Sequence, residues 1–358
     1  MNQDVLQNKI TPLNCRQYYR QTGFSIIELM ISIALGLLVM TGVLALYSDL
    51  SRSNAELAKM NRQIESGRFT VQLLQNELWH AGYWDTYSPP HPDITPPTAV
   101  PNPCIDYTAW DLAYITNMYA IAVQGYANGA GLPAECTGIV SNRQPGSDVL
   151  VIRHVSTCVA GDINCEAYNP ARLYIQNQGC SDTFHGNYQA IAATTPVIGT
   201  PGLALFKKGC VLPANKRKVI TSMFYVRNYS VNIGDGIPTL MRADVDLNGG
   251  AIVMGVAQSI IEGIQSVNFQ YGRDTTGDGS PDLFDDCVAC TPLDWANVLS
   301  VRVHVLARNL VATTGYIDTK TYNLGPAVVL GPFNDGFVRH AYSSYVRLAN
   351  VSGRRETP

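Results

Sequence analysis

No proline interrupts the chain between Pro12 and Pro89, so nothing in that stretch removes a helical N–H or drives a ring into the preceding turn. Glycine-rich phosphate loops, G-x-S-x-G and H-E-x-x-H are also absent. With them go the usual marks of nucleotide, serine-hydrolase and zinc-protease chemistry. The six histidines (His80, His91, His154, His185, His304 and His340) show no metal-ligand spacing. No segment repeats at a fixed period. An enzyme is therefore not expected. The net charge is only −3, and this mild acidity gives no support to general nucleic-acid binding. The 358 residues suffice for a sizeable core, as one large domain or two small ones.

What is present begins with Gly23-Phe-Ser-Ile-Ile-Glu-Leu29, followed by nearly continuous apolar sequence to Tyr47. Residues 24–47 are long enough to cross a bilayer as a helix. The preceding leader, residues 1–23, carries Lys9, Arg16 and Arg20 against Asp4. After the span, Arg52 and Lys59 are matched by Asp49 and Glu56. That asymmetry predicts an N-inside, C-outside orientation. Glu28 is an acid within the span, which is expensive and therefore a functional candidate. A secretory signal is cut after its apolar stretch, at small residues. Here the Gly23–Phe24 junction lies before the stretch, so the apolar segment stays in the mature chain.

These residues resemble the prepilin-type signal of type IV pilins and pseudopilins. The resemblance implies that a prepilin peptidase cuts between Gly23 and Phe24 on the cytoplasmic side and that Phe24 is N-methylated. The freed amine of Phe24 would then face Glu28, within its own helix as an i, i+4 pair or between neighbouring subunits. The family favours the second, in which the pair sets axial register during assembly.

Nine cysteines occur, and Cys15 lies in the leader. The other eight fall on the predicted periplasmic side, where disulfides are the default. Eight cysteines allow 105 pairings, among which the sequence does not choose. Our expectation is pairing of near neighbours: Cys104 with Cys136, Cys158 with Cys165, Cys180 with Cys210, and Cys287 with Cys290.

Helical patterning continues past the membrane as far as about Trp79, giving a helix about 80 Å long. Leu57, Met60, Ile64, Gly67, Val71, Leu74 and Leu78 fall at three- and four-residue steps, which makes one largely apolar stripe. We expect residues 48–84 to dock by this stripe on the chain's own sheet; a coiled coil with another subunit is the alternative. Seven of the 20 prolines lie between Tyr87 and Pro103, so residues 85–103 read as an extended connector. Residues 104–213 read as a loop-heavy, disulfide-tied insertion, with 148–154 its clearest strand. Residues 214–358 read as antiparallel β. Val301, Val303 and Val305 alternate with Arg302 and His304, the period of a half-buried strand. Further strands are expected at 219–229, 267–271 and 342–348. The expected class is α+β: a long N-terminal helix packed on an antiparallel sheet head.

Several strings resemble the PilW group of large minor pilins: Ala122-Val-Gln-Gly-Tyr126, Gly146-Ser-Asp-Val-Leu-Val-Ile-Arg153, and Ile261-Glu-Gly-Ile-Gln-Ser-Val-Asn-Phe-Gln-Tyr-Gly272. Asp274-Thr-Thr-Gly-Asp-Gly279 and Tyr345-Val-Arg-Leu-Ala-Asn350 belong with them. The resemblance implies a low-abundance component at or near a pilus tip. Its partners would be other minor pilins, the major pilin, the prepilin peptidase and a tip adhesin. It would sit in the inner membrane with a periplasmic head, then in a surface pilus. A minor pseudopilin of type II secretion, or a pilus-borne adhesin or DNA-binding subunit, is the alternative.

Oxygen-bearing residues fall at positions 1, 3, 5, 9 and 12 of an acidic loop: Asp274, Thr276, Asp278, Asp282 and Asp285, with the Ser280 carbonyl at position 7 and Gly279 at 6. Those are EF-hand-like offsets and predict a Ca²⁺ site, against the plainer reading of a solvated acidic turn. Asp244-Val-Asp-Leu-Asn-Gly249 starts similarly but offers no side-chain oxygen at Ile252 or Gly255, so it reads as a β-turn. Cys287-Val-Ala-Cys290 lacks the second close pair of a zinc ribbon and reads as a structural disulfide. The basic residues Lys207, Lys208, Lys216, Arg217 and Lys218 read as solvated loop charge rather than a DNA patch.

Overall fold

The structure is a computed structural model that describes residues 23–87, 95–180, 188–192, 195–196, 203–325 and 328–355. The leader ahead of Gly23, with Cys15, lies outside the described residues, as do positions 88–94 of the proline-rich connector. The chain divides into two compact units, up to Ala55 and from Glu56 onward.

In the first unit a single element forms. Helix α1 (Ile26–His80) begins here, and its residues as far as Ala55 are all exposed. The segment is long and apolar enough to cross a membrane. With no proline to break the ladder and few glycines, the apolar run has no competing structure.

The second unit holds two main antiparallel sheets and a small two-stranded one. The first contains β1 (Val123–Tyr126), β2 (Val149–Val155), β3 (Leu173–Asn177), β4 (Tyr188–Ala192), β5 (Thr195–Pro196), β6 (Arg217–Arg227), β7 (Thr239–Asn248), β8 (Ala251–Met254) and β9 (Gln258–Glu262). Helix α2 (Leu112–Ala120) precedes β1, capped by the Asp111 carboxylate, which accepts from the Tyr114 N–H. β6 hydrogen-bonds to both β2 and β3, so residues on either side of position 213 share one sheet. The β7–β8 hairpin turns at Gly249 and Gly250, both with positive φ (59° and 93°), the conformation a two-residue turn needs. The turn expected near Asp244 thus lies later, and Asp244 and Asp246 are strand residues.

The second sheet is built from β10 (Ile264–Arg273), β11 (Leu283–Asp285) and β12 (Val298–Arg308). A small pair, β13 (Tyr322–Asn323) and β14 (Val329–Leu330), precedes the last strand, β15 (Arg339–Arg347). The order is β11-β10-β12-β15. Two short helices flank these strands, α3 (Pro292–Ala296) and α4 (Ala349–Ser352). As the alternation predicts, Val301, Val303 and Val305 are buried while Arg302 is exposed.

The part of α1 in this unit packs on the second sheet. Leu74 and Leu78 join a core with Val301, Val303, Phe269 and Leu348. The stripe read from sequence holds only in this lower half. Leu57, Met60 and Ile64 are 53%, 49% and 38% exposed, and the buried row runs instead through Gln63, Gly67, Thr70, Leu74 and Leu78. Polar contacts decide the rotation. The Gln63 amide donates to the carbonyls of Ala307 and Val338, both at 2.9 Å. Thr313 Oγ1 donates to Glu56 at 2.8 Å. A Cβ on Gly67 would lie 2.2 Å from the Tyr342 ring, so only glycine permits this approach.

Four disulfides join Cys104 to Cys136, Cys158 to Cys165, Cys180 to Cys210, and Cys287 to Cys290. Beneath β15 lies a buried charge cluster. Arg339 Nη1 bonds Asp318 at 2.9 Å and Asp335 at 2.6 Å, with the Arg339 and Asp318 side chains essentially inaccessible. Tyr322 donates its hydroxyl to Asp318, and the Arg339 guanidinium lies 3.7 Å from the centre of the Phe333 ring. The Arg339 hydrogen bond holds the Asp335 carboxyl below its usual range.

Candidate functional site

The strongest site residues stand at the start of α1. Gly23, Phe24 and Ser25 precede the first helical residue, Ile26, so the Gly23–Phe24 peptide lies in non-helical, exposed chain. Phe24 is 82% exposed. Glu28 lies in the first helical turn, where a carboxylate complements the helix dipole. Its backbone carbonyl accepts from Ser32 Oγ at 2.7 Å. Among the described residues its carboxylate has no ion-pair partner.

The acidic loop is arranged differently from an ion cage. Asp274 is buried and accepts from the N–H groups of Gly277 (2.6 Å) and Gly279 (3.0 Å), with Arg355 Nη1 at 3.1 Å. Burial pushes its pKa up, but these donors more than offset that and hold it below the ordinary value. Asp282 turns inward to the N–H groups of Thr275 and Thr276, and the Thr275 N–H leads in lowering its pKa. Asp278 accepts only from Ser280 within the turn. Asp285 is paired with Arg273. Among the described residues the metal-type cluster within 4.8 Å is Asp285, Cys287 and Cys290, and both of its sulfurs are in a disulfide. Among the described residues the Asp274, Asp278, Asp282 and Asp285 carboxylates do not form a metal-type cluster within 4.8 Å. Protein donors already engage Asp274, Asp282 and Asp285.

Most of the basic residues noted in the sequence are also partnered. Arg217 pairs with Asp85, Lys218 with Asp246, and Lys216 covers the Tyr168 ring. Lys207 and Lys208 are exposed.

The family-like strings, scattered in sequence, meet in space. Asp148 accepts from the Phe269 N–H (2.9 Å) and the Asn128 N–H (2.8 Å). Ser266 Oγ and the Asn268 amide both donate to the Gly146 carbonyl. A Cβ on Gly125 would fall 1.9 Å from the Tyr271 hydroxyl. Thus Gly125, Gly146–Asp148 and Ser266–Tyr271 form one joint between the two sheets. Burial pushes the Asp148 carboxyl up to about 6, against the hydrogen bonds it accepts. The Asp274 loop is tied by Arg355 to the chain that follows the closing Tyr345–Asn350 string.

Residues 223–350, about a third of the chain, match the family model described as Type IV Pilus-assembly protein W. Residues 18–44 match the Prokaryotic N-terminal methylation motif. These two matches make the chain similar to a PilW-like type IV pilin with a prepilin-type signal. The PilW match runs from within β6 to α4, and so takes in the whole second sheet, the acidic loop and the Cys287–Cys290 bridge. The methylation motif brackets Gly23, Phe24 and Glu28. Both families are pilus components rather than enzymes. No curated protein and no solved structure matches the chain.

Sequence reasoning missed Gln63, Asp318 and Arg339. Gln63 sits among charged residues on a helix and looks like surface. Asp318 and Arg339 are 21 residues apart in a loop-rich stretch, and nothing local signals their pairing. A signal for Gly67 was available: it occupied a stripe position where a larger apolar residue was expected.

Proposed function

We propose that the chain is a minor pilin of a type IV pilus, held in the inner membrane by the apolar part of α1 before assembly. Prepilin peptidase removes the leader after Gly23, and Phe24 becomes the methylated N-terminus. The head stands in the periplasm, an environment consistent with four disulfides and no described free thiol. The subunit then enters the filament at or near its tip, where it joins other minor pilins and the major pilin, primes assembly and supports an adhesin.

The observation that carries this reading is the methylation motif that runs into an exposed apolar helix, in a chain whose second sheet matches the PilW model. Glu28 supplies the assembly contact: an unpaired acid in lipid needs a cation, and the amine of a neighbour's Phe24 provides it. Mass spectrometry of the mature protein should find Phe24 as the first residue. Glu28→Ala should insert in the membrane normally but be lost from sheared filaments; wild-type incorporation would refute the register role. A calcium ion at the acidic loop would compete with Arg355 for Asp274 and with Arg273 for Asp285.

A further inference from the structure

Beside the exposed residues Leu57, Met60 and Ile64, a pocket of ≈ 40 Å³ opens between α1 and the chain at the end of β12. Its walls include Lys59, Arg62, Arg308 and Glu262, three cations against one acid. Glu262 already accepts the Ser230 hydroxyl, and Lys59 is paired with Glu56 at 2.8 Å. Arg62 has no salt bridge among the described residues.

Arg308 is the unusual member. It is 92% buried, at 8% exposure, yet no carboxylate lies within ion-pair distance of it among the described residues. One Nη donates to the Gly236 carbonyl, its guanidinium lies 3.9 Å from the centre of the Phe337 ring, and its Nε has no hydrogen-bond partner. Burial, reinforced by the nearby Arg339, pushes its pKa down to about 10. A buried cation with no ion pair is costly; Asp335 acts on Arg308 only at longer range, and the pocket's walls add a second unpaired cation, Arg62, against the one carboxylate of Glu262. The volume suits a planar group of a few heavy atoms.

We propose that this pocket receives an Asp or Glu side chain of a neighbouring pilin subunit. The exposed apolar residues flanking it on α1 point to a protein surface, since they would be covered by the body of the donor. The carboxylate would pair with Arg62 at the mouth and Arg308 at the base, as bidentate guanidinium partners. This rests on the assembly reading above.

The test has two arms, both with the full-length chain. In the first, detergent-purified protein is melted in 100 mM sodium acetate and in sodium chloride of equal ionic strength. Acetate should raise the wild-type Tm by about 2 °C and leave Arg62→Glu and Arg308→Met unmoved. In the second, Arg62→Glu on the exposed helix should insert in the membrane and form its disulfides, but fall at least about five-fold in sheared filaments. Arg62→Lys should restore most of it, and suppressors of Arg62→Glu should change an acid to a base on a pilin subunit. An acetate response with normal incorporation of Arg62→Glu would show a site for a free small anion and overturn the proposal. Lost incorporation without an acetate response would place the charge effect outside the pocket and also overturn it. Absence of the wild-type chain from filaments would instead fail the assembly reading, which the acetate arm does not depend on.

Discussion

Replacing Asp318 by Ala should be among the most damaging single changes in the head. The carboxylate is fully buried, accepts two contacts from the Tyr322 hydroxyl, and pairs with Arg339 at 2.9 Å. Its loss leaves the Arg339 guanidinium in the interior with Asp335 as its remaining acid. Breaking a buried pair from one side costs about 3–5 kcal/mol, because the partner is stranded. Retention of Asp335, whose side chain is 34% exposed, argues for the lower end, about 3 kcal/mol. At about 2–4 °C per kcal/mol for a unit of this size, the melting point should fall by roughly 6–12 °C. The assay is thermal or urea unfolding of the mature chain in detergent, followed by tryptophan fluorescence. The double variant Asp318→Leu/Arg339→Met should recover much of the loss, because it removes both charges together. A single-variant cost under about 1 kcal/mol, or a double variant worse than the sum of its singles, would refute the account of a desolvated, mutually dependent pair.

Asp148 gives a pH signature. Its folded pKa of about 6 lies above the unfolded carboxyl value, so the folded state holds the proton more tightly. Stability relative to Asp148→Asn should be greatest at or below pH 4 and decline as pH rises to about 6, by up to about 3 kcal/mol. Urea melts of both proteins between pH 4 and 7 check this, and parallel curves would contradict it. The acidic loop should melt at the same temperature in calcium and in chelator, since Arg355 and loop N–H groups already hold its carboxylates. A rise of several degrees in calcium that Asp278→Ala abolishes would return the loop to an ion-binding role. Removing the Cys287–Cys290 bridge, which spans three positions, should cost about 2 kcal/mol, against about 4 for Cys104–Cys136, which spans 32. Paired Cys→Ser variants in urea test that order; equal costs would show that local packing, not loop length, decides.

The sequence makes the gross layout readable where one period dominates. A proline-free apolar run leaves α1 no alternative, and the Val301–Val305 alternation places a strand with its buried face correctly. It fails where two patterns compete on one element. Between Leu57 and Ile64 the apolar row and the polar row are one residue apart, and hydrophobic spacing selects the first. The fold selects the second, because the Gln63 amide and the Glu56 carboxylate satisfy loop groups that a leucine would leave unpaired. Residues 104–213 read as an insertion because their strands are short and separated by long loops. Their integration depends on β6, beyond position 213, lying between β2 and β3, a long-range choice that no local pattern encodes. At the candidate site, Gly23, Phe24 and Glu28 are legible because a membrane makes one acid conspicuous. Arg308 is not, since its isolation is a property of what surrounds it in three dimensions.

The bare backbone at Gly67 also has a mechanical meaning. The Tyr342 ring sits against Gly67 in a notch that no neighbouring helical residue reproduces: one turn away in either direction lie Gln63 and Val71, each with a side chain that would meet the ring if the helix slid by a turn. Axial tension on α1 within this unit therefore cannot be relieved by slippage of the helix along β15. The load has to pass through the aromatic latch into the sheet, and a pull strong enough to move it must first lift the ring out.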